Sequence, residues 1–356
     1  MKEMCKILLP DDEGTTQAAN QLIKGNVVIF PTETVYGLGA NAHDKQAIEK
    51  IYSYKKRPKN NPLIIHSLSW DLAKLFTDVN DIELKIIKKL EYFWPGPLTI
   101  LVKSSKHVLS EINNNSGMVA IRIPSNKIAR MLLKKSGLSI VAPSANISGK
   151  FSSTTFDHAE SYFRNESDIS IIKSNINCEH GIESTIVKIE NDNVSIVRPG
   201  IILACDLEKI LGIKVYEHFS NYQSNHPGSD IAHYQTNKQA KLVNFIDYNL
   251  YEKPDMIQEI KQATAIYLRN SIFIDFGKKN VDKIDQFYAY VDLSESGDVK
   301  EALFNLYNVL YQINNIDNCN NLLIFNIFKD SKGLSRVMYD RLYRCSAGKE
   351  LLIPFI

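Results

Sequence analysis

The chain has few cysteines and no long apolar run. Of its 356 residues five are cysteine. Their odd number and scattered positions exclude a disulfide framework, and no spacing among them is typical of a zinc site, so we predict a protein of the reducing cytoplasm. No apolar run approaches the roughly 20 residues of a membrane helix, which predicts no membrane partner. The N-terminal run Ile7–Leu9 is too short for a signal peptide.

Charge of one sign is also lacking. The formal net charge is +2 and the pI is about 8.1, so the chain has no overall attraction to nucleic acid or membrane, although a local basic groove remains compatible with this balance. The hydrophobic fraction of 44% and the charged fraction of 23% are those of a globular protein, and 356 residues are enough for two domains.

The usual nucleotide-binding motifs are absent. Gly37 to Ala42 nearly matches the dinucleotide fingerprint, but six residues separate Gly37 from the preceding predicted strand, and Arg57 stands where an acidic residue is needed. The glycine–lysine pairs at Gly149, Gly277 and Gly348 lack the serine or threonine of a Walker A loop. A nucleotide would therefore need another kind of site.

Strand-like apolar runs alternate with helical patterns, which predicts an α/β fold with one large twisted sheet and flanking helices. A linker-like polar stretch separates this part from a smaller α/β domain, giving predicted boundaries of 1–216, 217–238 and 239–356. The predicted strands are Val27–Phe30, Leu63–His66, Leu98–Val102, Val119–Ile123, Ser139–Val141, Ser184–Ile189, Val194–Val197, Ala263–Leu268, Ser271–Phe276 and Leu322–Ile327. The predicted helices are 44–56, 81–93, 126–135, 206–211, 299–314 and 332–345.

Polar residues follow the predicted strand Val27–Phe30. The segment Pro31–Asn41 presents two hydroxyl groups flanking the carboxylate of Glu33, and then two glycines. Small polar side chains just beyond a strand are typical of a ligand site in an α/β protein. The segments at Ser144 and Ser184 have the same character, and we expect them to share that site.

Basic residues at two further places allow two interpretations each. The run around Lys55 and Arg57 suits either a solvated helix C-terminus or a polyphosphate site. Arg122, on a predicted strand, suits a structural ion pair and a carboxylate clamp equally. His66, which ends a strand, is by itself more typical of hydrogen-bonded structure than of a ligand contact, and no histidine, cysteine or carboxylate cluster predicts a metal site.

Taken in order, these segments resemble the YrdC-like family of L-threonylcarbamoyladenylate synthases, in its two-domain branch. The resemblance covers Thr32–Asn41, Lys55–His66, Trp94–Thr99, Ser144–Asn146 and Arg198–Gly200, with Arg122 and Ser184-Thr185 between them. It continues more weakly into Pro227-Gly228, His233-Tyr234 and Asp340–Leu342. It implies a YrdC-like catalytic domain followed by a smaller Rossmann-like domain.

The resemblance also implies an activity: L-threonine, bicarbonate and ATP form threonylcarbamoyl-AMP and pyrophosphate, with Mg²⁺ accompanying ATP. A separate transferase would then modify tRNA, with direct tRNA contact left open. Lys55 and Arg57 are implied as catalytic residues near the phosphates. The implied threonine-binding residues are Thr34, His66, Arg122, Ala142 and Ser184. The implied ATP-binding residues are Arg57, Asn61, Met118, Ser144, Ser152, Arg198 and Tyr234.

Two other functions compete with this interpretation. A non-catalytic RNA-binding module would need a basic concave face, which the near-neutral charge does not favour. A carbamoyltransferase that uses carbamoyl phosphate resembles related domains of hydrogenase maturation, but those proteins carry zinc-finger cysteines that this chain lacks. The linker is expected to close over the site as a lid that brings Tyr234 to the nucleotide.

Overall fold

The computed structural model of the chain describes residues 4–217, 233–246, 254–329 and 331–354. The chain divides into two compact units, the first made of Met1–Ser148 and Ser152–Asp230 and the second of Gly149–Phe151 and Ile231–Ile356. Residues 218–232, which carry most of the predicted lid and Pro227-Gly228, lie outside the described residues. The three domain boundaries and the lid therefore stay predictions.

The first unit is built on a mixed sheet of eleven strands. Its strands are β1 Lys6–Leu8, β2 Val27–Phe30, β3 Gly37–Asn41, β4 Ile64–His66, β5 Leu98–Lys103, β6 Met118–Arg122, β7 Ile140–Val141, β8 Ile169–Ile172, β9 Thr185–Glu190, β10 Asn193–Arg198 and β11 Tyr216–Glu217. The strand order across the sheet is β1-β8-β2-β3-β7-β4-β6-β5-β9-β10-β11.

Helices cover both faces of this sheet. They are α1 Asp12–Ile23, α2 Lys45–Lys55, α3 Trp70–Ala73, α4 Asp81–Leu90, α5 Ser110–Asn113, α6 Lys127–Ser136, α7 Phe156–Phe163 and α8 Ala204–Leu211. Ile29 of β2 shares a core cluster with Ile48 of α2, whereas its neighbour Phe30 belongs to the cluster of Leu132 in α6. Successive side chains of a strand point to opposite faces, so the continuous apolar run of β2 buries both.

The segment after β2 differs from the sequence prediction, because Gly37–Asn41, expected as part of a polar segment beyond a strand, forms strand β3. Phe30 pairs with Gly37 and Val28 with Gly39 in antiparallel register. A Cβ atom on Gly39 would lie 2.6 Å from the Phe30 ring, and one on Gly37 would lie 3.2 Å from the Cβ of Ala142. Glycine is required here because a neighbouring side chain fills that space, which strand propensity does not reveal.

The second unit contains a five-stranded sheet whose pairs are all parallel, in the order β14-β13-β15-β12-β16. Its elements are β12 Gln239–Ile246, α9 Pro254–Arg269, β13 Ser271–Asp275, β14 Ala289–Asp292, α10 Val299–Asn314, β15 Asn321–Phe325, α11 Gly333–Cys345 and β16 Glu350–Pro354. The predicted fold class is thus confirmed: a large mixed sheet with flanking helices, and a smaller Rossmann-like α/β unit.

One predicted strand is wrong. Residues Ala263–Leu268 lie in α9, which runs from Pro254 to Arg269. A short apolar run does not distinguish a strand from a buried stretch of helix. Pro254 at the first helical position is a typical helix start that the prediction overlooked.

Elsewhere the predicted elements differ from the observed ones only by a few residues at their ends. No helix in the described parts of the chain is long and apolar enough to cross a bilayer.

Candidate active site

Three polar side chains occupy directly paired positions on adjacent strands of the first sheet. His66 on β4 pairs with Arg122 on β6, and Arg122 pairs with Thr99 on β5. Paired residues lie on the same face of a sheet, and strands are about 4.8 Å apart. All three are buried. Hydrophobic strands therefore carry a row of polar groups across the middle of the sheet.

Arg122 forms a buried ion pair with Glu33. Its Nη2 donates to Glu33 Oε1 at 2.7 Å, with the two side chains 4% and 2% exposed. Burial by itself raises the pKa of Glu33, but the charge and hydrogen bond of Arg122, together with backbone N–H donors, outweigh it and lower that pKa. The Nε of Arg122 is buried and has no hydrogen-bond partner in the part of the chain that the structure describes. The ion pair, one of the two interpretations of Arg122, is thus present, and the carboxylate clamp stays a prediction.

His66 is buried and uncharged. Desolvation, and then the nearby charge of Arg122, lower its pKa to about 3 against a weaker opposing effect of Glu33. Its Nδ1 has no hydrogen-bond partner among the residues that the structure describes. The structural interpretation of His66 predicts a satisfied side chain, and this atom does not fit it. A neutral imidazole offers hydrogen bonds to a ligand but no charge.

The turn after β2 is held by Thr32. Its Oγ1 accepts from the backbone N–H of Thr34 and Val35, both at 3.2 Å, and lies 2.9 Å from Thr34 Oγ1. Thr34 is fully buried. These hydrogen bonds order the backbone of the turn and so fix the positions of Glu33 and Thr34.

Ser184, a predicted threonine-binding residue, contacts Arg198, a predicted ATP-binding residue. Its Oγ shares a 2.7 Å hydrogen bond with Thr99 Oγ1 and accepts from Arg198 Nη2 at 3.0 Å. The Nε and Nη2 of Arg198 also donate to the Ser184 carbonyl, at 3.1 and 2.9 Å. Thr99 thereby becomes part of the site, although the sequence analysis gave it no role in ligand binding.

Lys55 holds the loop that carries Ser144. Its Nζ donates to the carbonyl oxygens of Ser144 and Asn146, both at 2.6 Å. Lys55 is 1% exposed, so a solvated helix C-terminus is wrong for this residue, although the adjacent Lys56 is exposed. Desolvation, and then Arg57, lower the pKa of Lys55 well below its usual value. The predicted role beside the phosphates stays a prediction; the contacts observed are with the loop.

Arg57 and Asn61, both predicted to bind ATP, are direct neighbours. Arg57 Nε donates to the Asn61 carbonyl at 3.0 Å, and Nη2 donates to Asn61 Oδ1 at 2.5 Å and to the Pro62 carbonyl at 2.9 Å. The segment between α2 and β4 therefore fixes the orientation of the Arg57 guanidinium.

Ser152 contacts a carboxylate that the sequence analysis left unassigned. Its Oγ donates to Glu183 Oε1 at 2.5 Å, and both residues are buried. Glu183 precedes Ser184, so a carboxylate beside a predicted ligand residue was the available signal. Glu33 was noted between two threonines, but its pairing with Arg122 joins residues 89 positions apart and has no local signature.

The remaining predicted positions lie in both units. Ala142 follows β7, and its N–H donates to the Ile64 carbonyl at 2.9 Å. Met118 begins β6 and pairs with Lys103. Tyr234 belongs to the second unit, where its ring lies 5.3 Å from that of Tyr307. The structure thus brings Thr34, Glu33, Arg122 and His66 into one connected region, and leaves the contact of Tyr234 with ATP a prediction.

Comparison with known proteins gives two consecutive family matches. Residues 20–200 match the Sua5/YciO/YrdC family model, described as "Telomere recombination", and residues 202–347 match "Threonylcarbamoyl-AMP synthase, C-terminal domain". Threonylcarbamoyl-AMP synthases from Pyrococcus abyssi and Bacillus subtilis are 36% and 38% identical over 231 residues, which are 64% of this chain. The chain spans 66% of the length of each of these two relatives.

Similarity to a solved structure extends over nearly the whole chain. The crystal structure of P. abyssi Sua5 complexed with L-threonine has a TM-score of 0.81 and 28% identity, covering 98% of this chain and 99% of that one. The first family model alone matches more than half of the 356 residues. The chain therefore belongs to the Sua5/YciO/YrdC family and has the two-unit architecture of Sua5.

Proposed function

We propose that this protein is a threonylcarbamoyl-AMP synthase, which joins L-threonine, bicarbonate and ATP and releases pyrophosphate. Its family, the names of its P. abyssi and B. subtilis relatives and the threonine complex of P. abyssi Sua5 support this proposal.

One observation carries the proposal. Within the described ranges, His66 Nδ1 and Arg122 Nε are both buried without a hydrogen-bond partner, and their residues pair directly on adjacent strands. Buried polar groups are normally hydrogen-bonded, so two neighbouring exceptions call for a ligand that supplies the missing partners. A zwitterionic amino acid does so, because its carboxylate accepts from a guanidinium and its amine and hydroxyl bond to a neutral imidazole.

On the amino-acid side, Arg122 is proposed to take the threonine carboxylate. Thr34 and Ser184 would orient the amino acid, and Ala142 would border it. The bonds of Ser184 to Thr99 and Arg198 support this assignment, because they fix its hydroxyl before a ligand arrives.

On the nucleotide side, Arg57 is proposed to neutralise phosphate charge. Its orientation by Asn61 supports this, since a fixed guanidinium pays less entropy for each phosphate contact. The other proposed ATP contacts are Asn61, Ser144, Ser152, Arg198, Tyr234 and the backbone of Met118. No group of three metal-ligating side chains gathers within the described ranges. Mg²⁺ is therefore proposed to arrive as part of the MgATP substrate.

The chemistry sets further requirements. The threonine amine must first lose its ammonium proton. It then attacks bicarbonate with loss of water, or attacks CO₂ with release of one further proton to solvent, and the resulting carbamate decomposes in water unless it is used within a closed site. A carbamate oxygen then displaces pyrophosphate in line at the α-phosphorus, a step promoted mainly by positioning and charge neutralisation. Such a product calls for a downstream tRNA-modifying transferase, and we propose that both proteins work in the cytoplasm.

The test is pyrophosphate release with threonine, bicarbonate and MgATP, each omitted in turn. We expect release only with all three present. Release with carbamoyl phosphate in place of bicarbonate and threonine would favour a carbamoyltransferase. Steeply salt-dependent tRNA binding without any pyrophosphate release would favour an RNA-binding module.

A further inference from the structure

Glu33 lies in a buried charge network that the proposed reaction does not by itself explain. Its side chain is 2% exposed, and it pairs with Arg122, which is 4% exposed. Taking two charges out of water costs about as much as their attraction returns, so a buried ion pair is weak support for stability. The Glu33–Arg122 pair is therefore expected to have a role other than stabilising the fold.

Both oxygens of the Glu33 carboxylate are held by donors on rigid elements. Oε1 accepts from Arg122 Nη2 at 2.7 Å. Oε2 accepts from the backbone N–H groups of Ser125 and Asn126, at 3.1 and 3.2 Å. Asn126 is the N-cap of α6, and Arg122 is the last residue of β6. The carboxylate thus fixes the guanidinium relative to both the sheet and the helix.

The hydrogen bond from Nη2 to Glu33 leaves the Nε–H of the guanidinium unused. Arg122 Nε is buried and has no hydrogen-bond partner among the described residues, while a guanidinium has five N–H donors in one plane. With Nη2 tied to Glu33, that plane has little freedom to turn. A carboxylate that approaches the unused N–H groups of Arg122 meets donors that are already oriented, so binding costs less conformational entropy.

We propose that Glu33 is a positioning residue for the substrate: it holds Arg122 by Nη2 so that the remaining guanidinium N–H groups receive the threonine carboxylate. This inference rests on the proposed function. Glu33 acts here as a fixed anion and not as a proton acceptor, because Arg122 and the two backbone donors keep its carboxylate ionised.

The first experiment measures the threonine KM of Glu33→Gln. A neutral amide cannot accept from all three donors and turns its own N–H₂ toward at least one of them, which releases Arg122. We expect the threonine KM to rise at least tenfold, with kcat at saturating threonine within threefold of wild type and the ATP KM unchanged. A fall in kcat with an unchanged threonine KM overturns the proposal.

Glu83→Gln is the matched control. Glu83 is also buried and accepts from two backbone N–H groups, those of Asn80 at 2.9 Å and Asn191 at 3.0 Å, but it has no arginine partner. We expect this variant to lower the thermal midpoint without changing the threonine KM. An equal rise of the threonine KM in both variants assigns the effect to general destabilisation and overturns the proposal.

A double-mutant cycle tests whether Glu33 acts through Arg122. In an Arg122→Lys background, Glu33→Gln should produce no further rise of the threonine KM. Independent, multiplicative effects overturn the proposal. Glu33→Asp keeps the charge and should recover part of the lost affinity.

A readout without turnover separates this inference from the proposed function. In the wild-type protein we expect the Arg122 Nε–H signal in ¹⁵N NMR to exchange slowly with water, and in Glu33→Gln to exchange at least tenfold faster. Equal exchange in both proteins overturns the positioning role. A normal exchange difference in a protein that releases no pyrophosphate overturns only the proposed function.

Discussion

At the scale of single residues, burial decides what each predicted site residue does. Arg122 and His66 both lie within the sheet, where an ionised group without a partner is expensive. The Arg122 guanidinium pairs with the Glu33 carboxylate, whereas burial, and then the nearby charge of Arg122, lower the pKa of His66 to about 3. The site therefore offers one paired cation and one neutral ring on adjacent strands.

His66 makes stability depend on pH. Its pKa in the folded chain is about 3, below the value of about 6.5 for a solvated histidine, so the unfolded chain binds the extra proton. The stabilisation is complete above pH 6.5 and is lost as pH falls toward 3. We expect this one group to lower the free energy of unfolding by about 1.4 kcal/mol per pH unit below pH 6.

Urea denaturation of wild type and His66→Asn between pH 6.5 and 4.5 checks this. The variant should lose less stability over that interval, and the difference between the two slopes isolates His66 from the other histidines. Parallel curves would show that the folded chain accommodates a charged His66.

Arg57 is the second residue whose charge can be tested alone. Arg57→Ala should lower kcat/KM for ATP by about 100-fold or more, because a lost cation leaves phosphate charge unpaired in the transition state. The exposed Lys59 in the same turn supplies the control, and Lys59→Ala should stay within threefold of wild type. Similar effects of both substitutions would remove the special role of Arg57. The measurement is pyrophosphate release at varied ATP.

At the scale of elements, a helix end and a loop are joined through one buried amine. Lys55, the last residue of α2, donates to the Ser144 and Asn146 carbonyls beyond β7. Lys55→Met keeps an unbranched side chain, one atom shorter, and removes the donors. Losing each of these two hydrogen bonds should cost on the order of 1–3 kcal/mol.

We therefore expect Lys55→Met to lower both the thermal midpoint and the apparent affinity for ATP. Lys56→Met, at the adjacent exposed position, should change stability by no more than about 0.5 kcal/mol. If Lys55→Met removes turnover but leaves the midpoint unchanged, Lys55 acts on the phosphates and not on the loop. Differential scanning calorimetry and ATP titration give the two quantities.

At the scale of the whole molecule, the chain contributes a short internal segment to its second unit. Gly149–Phe151 belongs to that unit, and the Gly149 carbonyl accepts from the Gln235 N–H at 2.9 Å. The Phe151 ring is 1% exposed and meets the edge of Tyr311 at 6.4 Å. The second unit thus depends on residues that lie far from the rest of that unit in the sequence.

Phe151→Ala should destabilise the second unit by about 3–5 kcal/mol, the usual cost of removing a buried phenylalanine ring. Phe304 of α10 is 36% exposed, and Phe304→Ala should cost clearly less. Guanidinium denaturation followed by near-UV circular dichroism compares the two variants. Equal losses of stability would contradict the place of Phe151 in that core.

Much of this protein could be predicted from the sequence because the information is local. Apolar runs and turns predicted β2 and α10 with the observed bounds, since hydrophobic periodicity depends only on neighbouring residues. The order of polar strand-end segments predicted the family. The strand predicted at Ala263–Leu268 is wrong because that prediction also used only local information. Six residues do not show that they belong to a helix that begins at Pro254.

Only the tertiary structure decided which polar groups meet. Three contacts of the site join residues more than 80 positions apart. They are the ion pair of Glu33 with Arg122, the hydrogen bond between Thr99 and Ser184, and the hydrogen bond from Lys55 to the Ser144 carbonyl. The strand character of Gly37–Asn41 depends on the Phe30 ring and on Ile140 and Ala142. Such contacts arise from strand order and register, and burial then fixes the charge of each group, so the sequence determined the residue types and the fold determined their chemistry.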